Sequence, residues 1–234
     1  MRIVTHQPIF LPWPGFFAKA TLADCMVLLD EVQFPHGRGW MNRNRLKSDS
    51  GELWLTVPVL KKGRGLQRIN DVEILNENRW QKKHLKGITQ NYVHSPYFEK
   101  YYPMVESIYQ KSYKRLMELN LEIIRFFWDS LSIKTELVLQ SELGVSGRGT
   151  DLLINISKKF EKATYLAFPA LKNHVDVEMM IKSGVKVNII HYTPPVYPQL
   201  WGNFIHNLST LDMLLNCGTE SIRIITKSTG LMDV

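Results

Sequence analysis

The sequence predicts an α/β protein, with a parallel or mixed sheet, helices on its faces and a mostly helical insertion. Three observations predict it. Short apolar runs bounded by polar or turn residues recur along the chain, among them residues 1 to 5, 25 to 32 and 163 to 168. Between the later runs lie helical stretches of roughly ten to fifteen residues, the spacing of strands joined by crossover helices. From about residue 79 to 131 the apolar period turns helical and stays so, longer than any crossover needs.

In order, residues 1 to 5 and 25 to 32 (CMVLLDEV) read as buried strands. Between them "GFFAKATLA" makes a short helix after Pro12 and Pro14, closed by Asp24. "GELWLTVPVL" (51 to 60) alternates and reads as a strand, with Pro58 arguing for an edge, and "KKGRG" reads as a hairpin turn. In the insertion Val105, Ile108, Tyr109, Leu116, Leu119, Ile123 and Phe127 form one stripe, with breaks expected near Ser95-Pro96 and at Pro103. Then follow a strand at 135 to 142, a turn "SGRG", a helix over 150 to 162 with Thr150 accounted for by capping, a strand at 163 to 168, a helix over 175 to 184 ending at Gly184, and a strand at 185 to 192. "NLSTLDMLLNCG" closes the reading as an amphipathic helix capped by Ser209 and stopped at Gly218. Residues 1 to 234 are expected to form a single α/β domain with the helical segment inserted.

A hydrophobic content of 44% fills a substantial core. No run of eighteen apolar residues is present, and "MRIVTHQPIF" lacks the basic-then-apolar plan of a secretory signal, so the cytoplasm is the expected location. Cys25 and Cys217 have no metal or redox spacing and read as buried free thiols, and His84 and His94 do not suggest a metal site. Neither a metal nor a cofactor is expected. The net charge is +7, and residues 36 to 68 hold a local net of +6, from Arg38, Arg43, Arg45, Lys47, Lys61, Lys62, Arg64 and Arg68 against Asp49 and Glu52. Such a block suggests an anionic partner: a nucleotide, a phosphorylated metabolite or RNA.

Ligands of open α/β sheets bind beyond the carboxyl ends of strands, which directs attention to the residues after each one. His6 and Gln7 follow the first strand and enter a bend stiffened by Pro8, Pro12 and Pro14, with Trp13 inside it. Asp30, Glu31 and Gln33 follow the second, and His191 and Tyr192 lead into a late segment carrying Tyr197 and Gln199. In "RGWMNRNRLK" Trp40, Asn42, Arg43 and Arg45 offer a stacking face, amides for sugar or base edges, and forked donors for phosphate. Asp212 and Asn216 lie four apart on one face of the last helix.

The opening "HQPIFLPWPGFFAKATLADCMVLLDEVQF", the "GWMNRNRLK" and "WLTVPV" after it, and the late "YPQLWGNFIHNLSTLDMLLNCG" together resemble the WbqC-like protein family over nearly the whole chain. That resemblance implies a role in bacterial surface polysaccharide (O-antigen, lipopolysaccharide) biosynthesis, with transfer of glycine to an amino sugar as the suggested activity. The partners implied are a nucleotide-linked amino sugar and an activated acyl donor such as an aminoacyl-tRNA. Amide formation of the kind the resemblance implies needs a base, oxyanion donors and cations for phosphates. For it, His6 is the expected base, with Asp30 its orienting partner or substitute; Gln7, Asn42 and Gln199 donate; Arg43 and Arg45 hold phosphate; Trp13 or Trp40 stacks on a base. His6 and Arg43, the latter on an arginine-rich loop, should then face each other across one cleft. One departure is "AFPALKNHV" (167 to 175), where the family usually carries a small Gly/Ser turn. The alternatives are a non-catalytic RNA- or nucleotide-binding module and a nucleotidyltransferase, although "PWPG" stands where the H-x-G-H pair of the latter belongs.

Overall fold

The computed structural model describes residues 1–35, 39–168 and 175–232. Arg38 and the departure from Pro169 to His174 lie outside the described residues. Eight strands are present among them: β1 (Arg2–His6), β2 (Cys25–Leu28), β3 (Arg43–Ser48), β4 (Gly51–Thr56), β5 (Glu136–Leu139), β6 (Thr164–Ala167), β7 (Lys186–Tyr192) and β8 (Thr229–Met232). Six of them form one sheet in the order β5-β2-β1-β6-β7-β8, parallel except for β8, which runs antiparallel to β7. β3 and β4 form a separate antiparallel hairpin.

The strands alternate their side chains between two cores, as a two-sided sheet requires. Val4, Met26, Leu28 and Leu166 face one core, shared with α1 (Pro14–Ala20), α8 (Thr210–Cys217), α9 (Glu220–Lys227) and the insertion helices α2 (Trp80–Tyr92), α3 (Phe98–Gln110) and α4 (Leu116–Ser130). Ile3, Cys25, Val27, Tyr165 and Val187 face the other, with α6 (Gly149–Lys158) and α7 (Val177–Lys182). The α/β class and the mostly parallel sheet agree with the expectation. Both cysteines are free and buried, and no described helix is long and apolar enough to cross a membrane.

Several elements differ from the sequence reading, each for a local reason. "RNRLK" is strand β3, where a basic loop was expected; its pairing with β4 sets Leu46 opposite Leu53 and buries it in the main core. Pro103 lies inside α3 without breaking it, because the buried face of Phe98, Tyr101, Val105, Ile108 and Tyr109 outweighs one lost backbone bond. The expected break near Ser95-Pro96 is present, and the second falls between Gln110 and Leu116 in place of Pro103, so the expected stripe is shared by two helices. The run 135 to 142 is a shorter strand followed by α5 (Gln140–Leu143). Thr150 is not the cap of α6, which is Arg148; its hydroxyl accepts from the Asp176 amide at 2.9 Å. α9 and β8 were not foreseen.

The proline bend is held from outside. Pro14 is the first residue of α1, where its missing N–H costs nothing, but residues 8 to 12 make no ladder of their own and Leu11 has φ +44°. Their carbonyls are satisfied from remote elements. Asn120 of α4 donates to Pro8 O (2.9 Å) and to Met41 O (2.8 Å). Asn44 of β3 donates to Phe10 O (3.2 Å) and Leu11 O (2.7 Å). The Thr210 amide of α8 takes Pro12 O at 2.8 Å. Gly15 serves the same bend: a Cβ there would lie 2.2 Å from the Trp13 ring, which folds back over it.

Asn120→Leu strands two buried carbonyls, each costing about 1–3 kcal/mol. We expect it to lower the unfolding free energy in urea by about 3 kcal/mol, and a loss under about 1 kcal/mol would show that the bend does not need this amide.

Candidate functional site

The chain passes from β1 outward to β2 and β5, then returns across the sheet to β6 and β7. The strand order therefore reverses between β1 and β6, and the crevice at their carboxyl ends is where this topology leaves room for a ligand. Two cavities open there. The larger, about 680 Å3, is lined by Thr5 and Gln7 from β1, by Glu31 and Gln33 after β2, by Arg68, and by Gly147, Arg148 and Gly149 at the start of α6. The smaller, about 380 Å3, is lined by His6, Gln7, Trp13, Trp40, Asn44 and Arg45, with Ile9, Met41 and Asn207. Gln7 belongs to both.

Each wall has a sequence cause. Alternation along β1 sends Thr5 to the side of α6 and His6 to the side of α1. "SGRG" needs glycine at Gly147 (φ +142°), where a Cβ would meet the Leu152 amide nitrogen at 2.9 Å, and at Gly149 (φ +52°). The turn thus brings the free amides of the first turn of α6 to the larger cavity, beside Arg148.

His6 Nδ1 lies 2.7 Å from Gln7 O. A carbonyl only accepts, so Nδ1 carries the proton and Nε2 is left as an acceptor. The ring packs edge-on to Phe16 at 4.8 Å. Burial, helped by the charge of Lys19, holds the imidazole well below its ordinary pKa, so His6 is neutral near pH 7.

Lys19 was not anticipated. It is 6% exposed in a helix whose seven residues are all buried. Its Nζ donates to Thr5 O at 3.1 Å and sits 5.6 Å from the Phe168 ring. It makes no ion pair among the described residues, and burial lowers its pKa to about 7. The available signal was that Lys19 is the only charged residue between Gln7 and Asp24.

The other expected residues divide into those on the cavities and those away from them. Trp13 lies edge-on to Phe168 (6.0 Å) and Tyr192 (5.3 Å). Trp40 stacks on Trp54 at 5.7 Å, and the Arg43 guanidinium lies 3.9 Å over Trp54, so Arg43 reaches neither cavity directly. Arg45 does line the smaller one, while its guanidinium pairs with Glu52 and donates to His206 O at 3.1 Å. Gln33, bridged to Arg68, lines the larger. Asp30 does not meet His6: its carboxylate accepts from the Ser141 amide (3.0 Å) and hydroxyl (2.7 Å), which corrects the expected orienting role. Asn42 is tied to Val57 O at 2.9 Å.

Tyr197, Gln199, Asp212 and Asn216 gather elsewhere, in a buried network. Asp212 accepts from Tyr92 OH (2.6 Å) and Tyr197 OH (2.8 Å), and Lys47 Nζ donates to Gln199 Oε1 (3.1 Å) and Asn203 O (2.6 Å). Asn216 donates to Asp212 O at 2.8 Å. Burial raises the Asp212 pKa, and the same burial together with the Asp212 charge raises both phenols, so these groups fasten the segment before α8 to the core. No cluster of three or more His, Cys, Asp or Glu suited to a metal ion occurs among the described residues.

Comparison with known proteins gives two findings. The family model described as the WbqC-like protein family matches residues 7–224. A protein of Mycobacterium tuberculosis strain H37Rv, described only as the uncharacterized protein Rv1507c, is 28% identical over 222 residues, covering 94% of this chain and 95% of that protein. No solved structure matches.

The environment of Lys19 predicts a stability effect with a definite pH sign. An unfolded lysine titrates near 10.5 and the folded one near 7, so from pH 7 to 10.5 the unfolded chain holds the extra proton and stability rises. Below pH 7 the full penalty of burying the charge remains. Lys19→Met should therefore stabilise the protein below pH 7, by roughly 3 kcal/mol, with the gain closing toward pH 10. Urea unfolding at pH 6 and pH 9.5 checks this; equal effects at the two would contradict it.

Proposed function

The chain belongs to the WbqC-like protein family, and from that premise we propose a transferase of bacterial surface polysaccharide assembly, acting in the cytoplasm on a nucleotide-linked amino sugar. The reaction is formation of an amide: the sugar amine attacks an activated glycyl or other acyl group, the bond from the acyl carbon to its leaving group breaks, and the ammonium proton goes to a base. The observation that carries this reading is the pair of cavities at the carboxyl end of β1, both lined by Gln7. Two substrates can meet there.

In this reading His6 is the base. Its Nε2 is unprotonated near neutrality because Nδ1 is committed to Gln7 O. Gln7, shared by both cavities, supplies an amide donor for the acyl oxygen as charge develops on it. The larger cavity suits the nucleotide-linked substrate by its size and by the cationic Arg68 and Arg148 beside the amides of α6. Arg68 is already paired with Glu31 at 3.1 Å, which leaves Arg148 the freer cation. Trp13 and Trp40 offer rings at the smaller cavity. The acyl donor enters this reading only by class.

A second reading has one observation in its favour. The half-exposed Trp40 and Trp54, stacked under Arg43, form the kind of surface on which bases of single-stranded RNA stack. As a non-catalytic RNA-binding module the protein would lose affinity steeply with salt and would not depend on His6.

The test is a thermal-shift panel of nucleotide-linked amino sugars, followed by mass spectrometry for the amide with activated glycyl donors. A ligand at a hundred times its Kd stabilises by about 2.7 kcal/mol. His6→Gln should keep that shift and lower kcat by about 100-fold or more. The wild-type rate should hold as pH falls through 6.5, the ordinary imidazole value, because the folded His6 titrates below it. A silent panel, or a His6→Gln variant with unchanged turnover, defeats the proposal.

A further inference from the structure

The surface around the smaller cavity continues beyond Trp40. That ring stacks on Trp54 of β4 at 5.7 Å and 23° and is still 46% exposed, so Trp54 covers one face and the rest of the ring is open at the cavity. Trp54, half exposed under the Arg43 guanidinium, also lines a further groove of about 430 Å3 with Thr56, Pro58, Lys83 and His84. The groove lies where α2 packs beside β4, with His84 Nε2 donating to Thr56 O at 3.2 Å. α2 turns Trp80, His84, Ile88 and Tyr92 inward and leaves Lys82, Lys83 and Lys86 exposed. None of the three lysines has an ion pair among the described residues. The helix itself contains no acid; Glu77 precedes it, and Glu52 of β4 is taken by Arg45. One track thus runs from His6 past two stacked tryptophans to three lysines.

We propose that this track binds the single-stranded 3′ end of an RNA, with the terminal base on Trp40 and the acyl group of the terminal ribose directed into the smaller cavity toward His6. This deepens the amide-transfer reading and rests on it: the acyl donor becomes an ester of RNA, and the larger cavity keeps the nucleotide-linked sugar. Exposed aromatic rings beside a positively charged groove are the combination that holds single strands, since every base has a face to stack and the cations follow the phosphates. A mononucleotide needs one ring; a second ring with three lysines beyond it matches a strand of several nucleotides. The transfer balances. The sugar amine bonds to the ester carbonyl carbon, the bond from that carbon to the ribose oxygen breaks, and the ammonium proton passes by way of His6 Nε2 to the departing oxygen.

Two consequences separate this arrangement from an RNA surface without a reaction. The track has a direction, because the cavity with His6 lies at the Trp40 end and the lysines lie at the other. The 3′ terminus must therefore be free to enter, whereas the 5′ side runs outward. Affinity also depends on salt through the lysines: three phosphate contacts on a single strand contribute about −2 to the slope of log K against log salt.

The experiment is fluorescence anisotropy of the full chain with a short unstructured RNA ending in CCA, carrying a dye on its 5′ end or on its 3′ end. Coenzyme A and AMP, the carriers of small acyl donors that also hold adenosine, are the competitors. The 5′-labelled strand should bind and the 3′-labelled strand should bind at least about tenfold more weakly. Trp40→Ala should weaken the 5′-labelled strand by about tenfold, the loss of one stacked base. Replacing Lys82, Lys83 and Lys86 together by Ala should make the salt slope shallower by about 2. Melting temperatures check that both variants fold. Equal binding of the two labels, affinity unchanged in Trp40→Ala, a salt slope unchanged in the lysine variant, no RNA binding, or coenzyme A or AMP binding in place of RNA each overturns the inference. The nucleotide-sugar shift is measured on the same samples. If it is present while RNA fails, only the donor site is wrong; if it is absent and both labels bind alike, the transferase reading falls and the non-catalytic module stands.

Discussion

The structure depends on how one stretch of backbone finds its hydrogen-bond partners. The bend after β1 is too rich in proline to pair with itself, and it is buried, so each of its carbonyls must be met by something else. Asn44 and Asn120, buried within the core, meet three of them, and the amide of Thr210 meets a fourth. These partners come from the hairpin, the helical insertion and the helix α8. Elements far apart in sequence are thereby fastened to the strand end that carries His6 and Gln7. The insertion is thus part of the support of the candidate site, through the amide of Asn120 and the packing of His84 on Phe10.

Two buried polar regions behave in opposite ways. Around Asp212 the charges and donors answer one another: two phenols meet the carboxylate, and Lys47 is held by Gln199 and a backbone carbonyl. Such a network secures a loop and leaves little for a ligand to do. At the end of β1 the accounts stay open. Lys19 and His6 lie close enough for the charge of Lys19 to depress the pKa of His6, and no acid joins them among the described residues. Uncompensated buried charge costs stability.

Much of the sheet could be read from the sequence because its strands are short apolar runs between turn residues, and a two-sided parallel sheet needs such runs. The basic segment misled because its charges mask a strand: alternation in "RNRLK" hides Asn44 and Leu46 between cations, and only pairing with β4 reveals that they point inward. Asp30 misled for a related reason, since residue type at a strand end does not tell which neighbour will claim the carboxylate; Ser141 is 111 residues away. His6 and Gln7 stood out because strand ends are few. Lys19 was hidden by its surroundings, since a lysine in a short helix ordinarily faces water, and the burial of every side of α1 depends on β1, β7 and α9 together. Tertiary packing decided each of these, and local pattern does not record it.

The sheet is built around its first strand. β1 is flanked by β2 and β6, and Ile3 pairs with both Cys25 and Tyr165. As a ribosome delivers the chain from its amino end, β1 can take one neighbour early, but its other edge has no partner until β6 has emerged. During synthesis β1 therefore presents an apolar, hydrogen-bond-hungry edge until β6 has emerged, the kind of edge that chaperones cover.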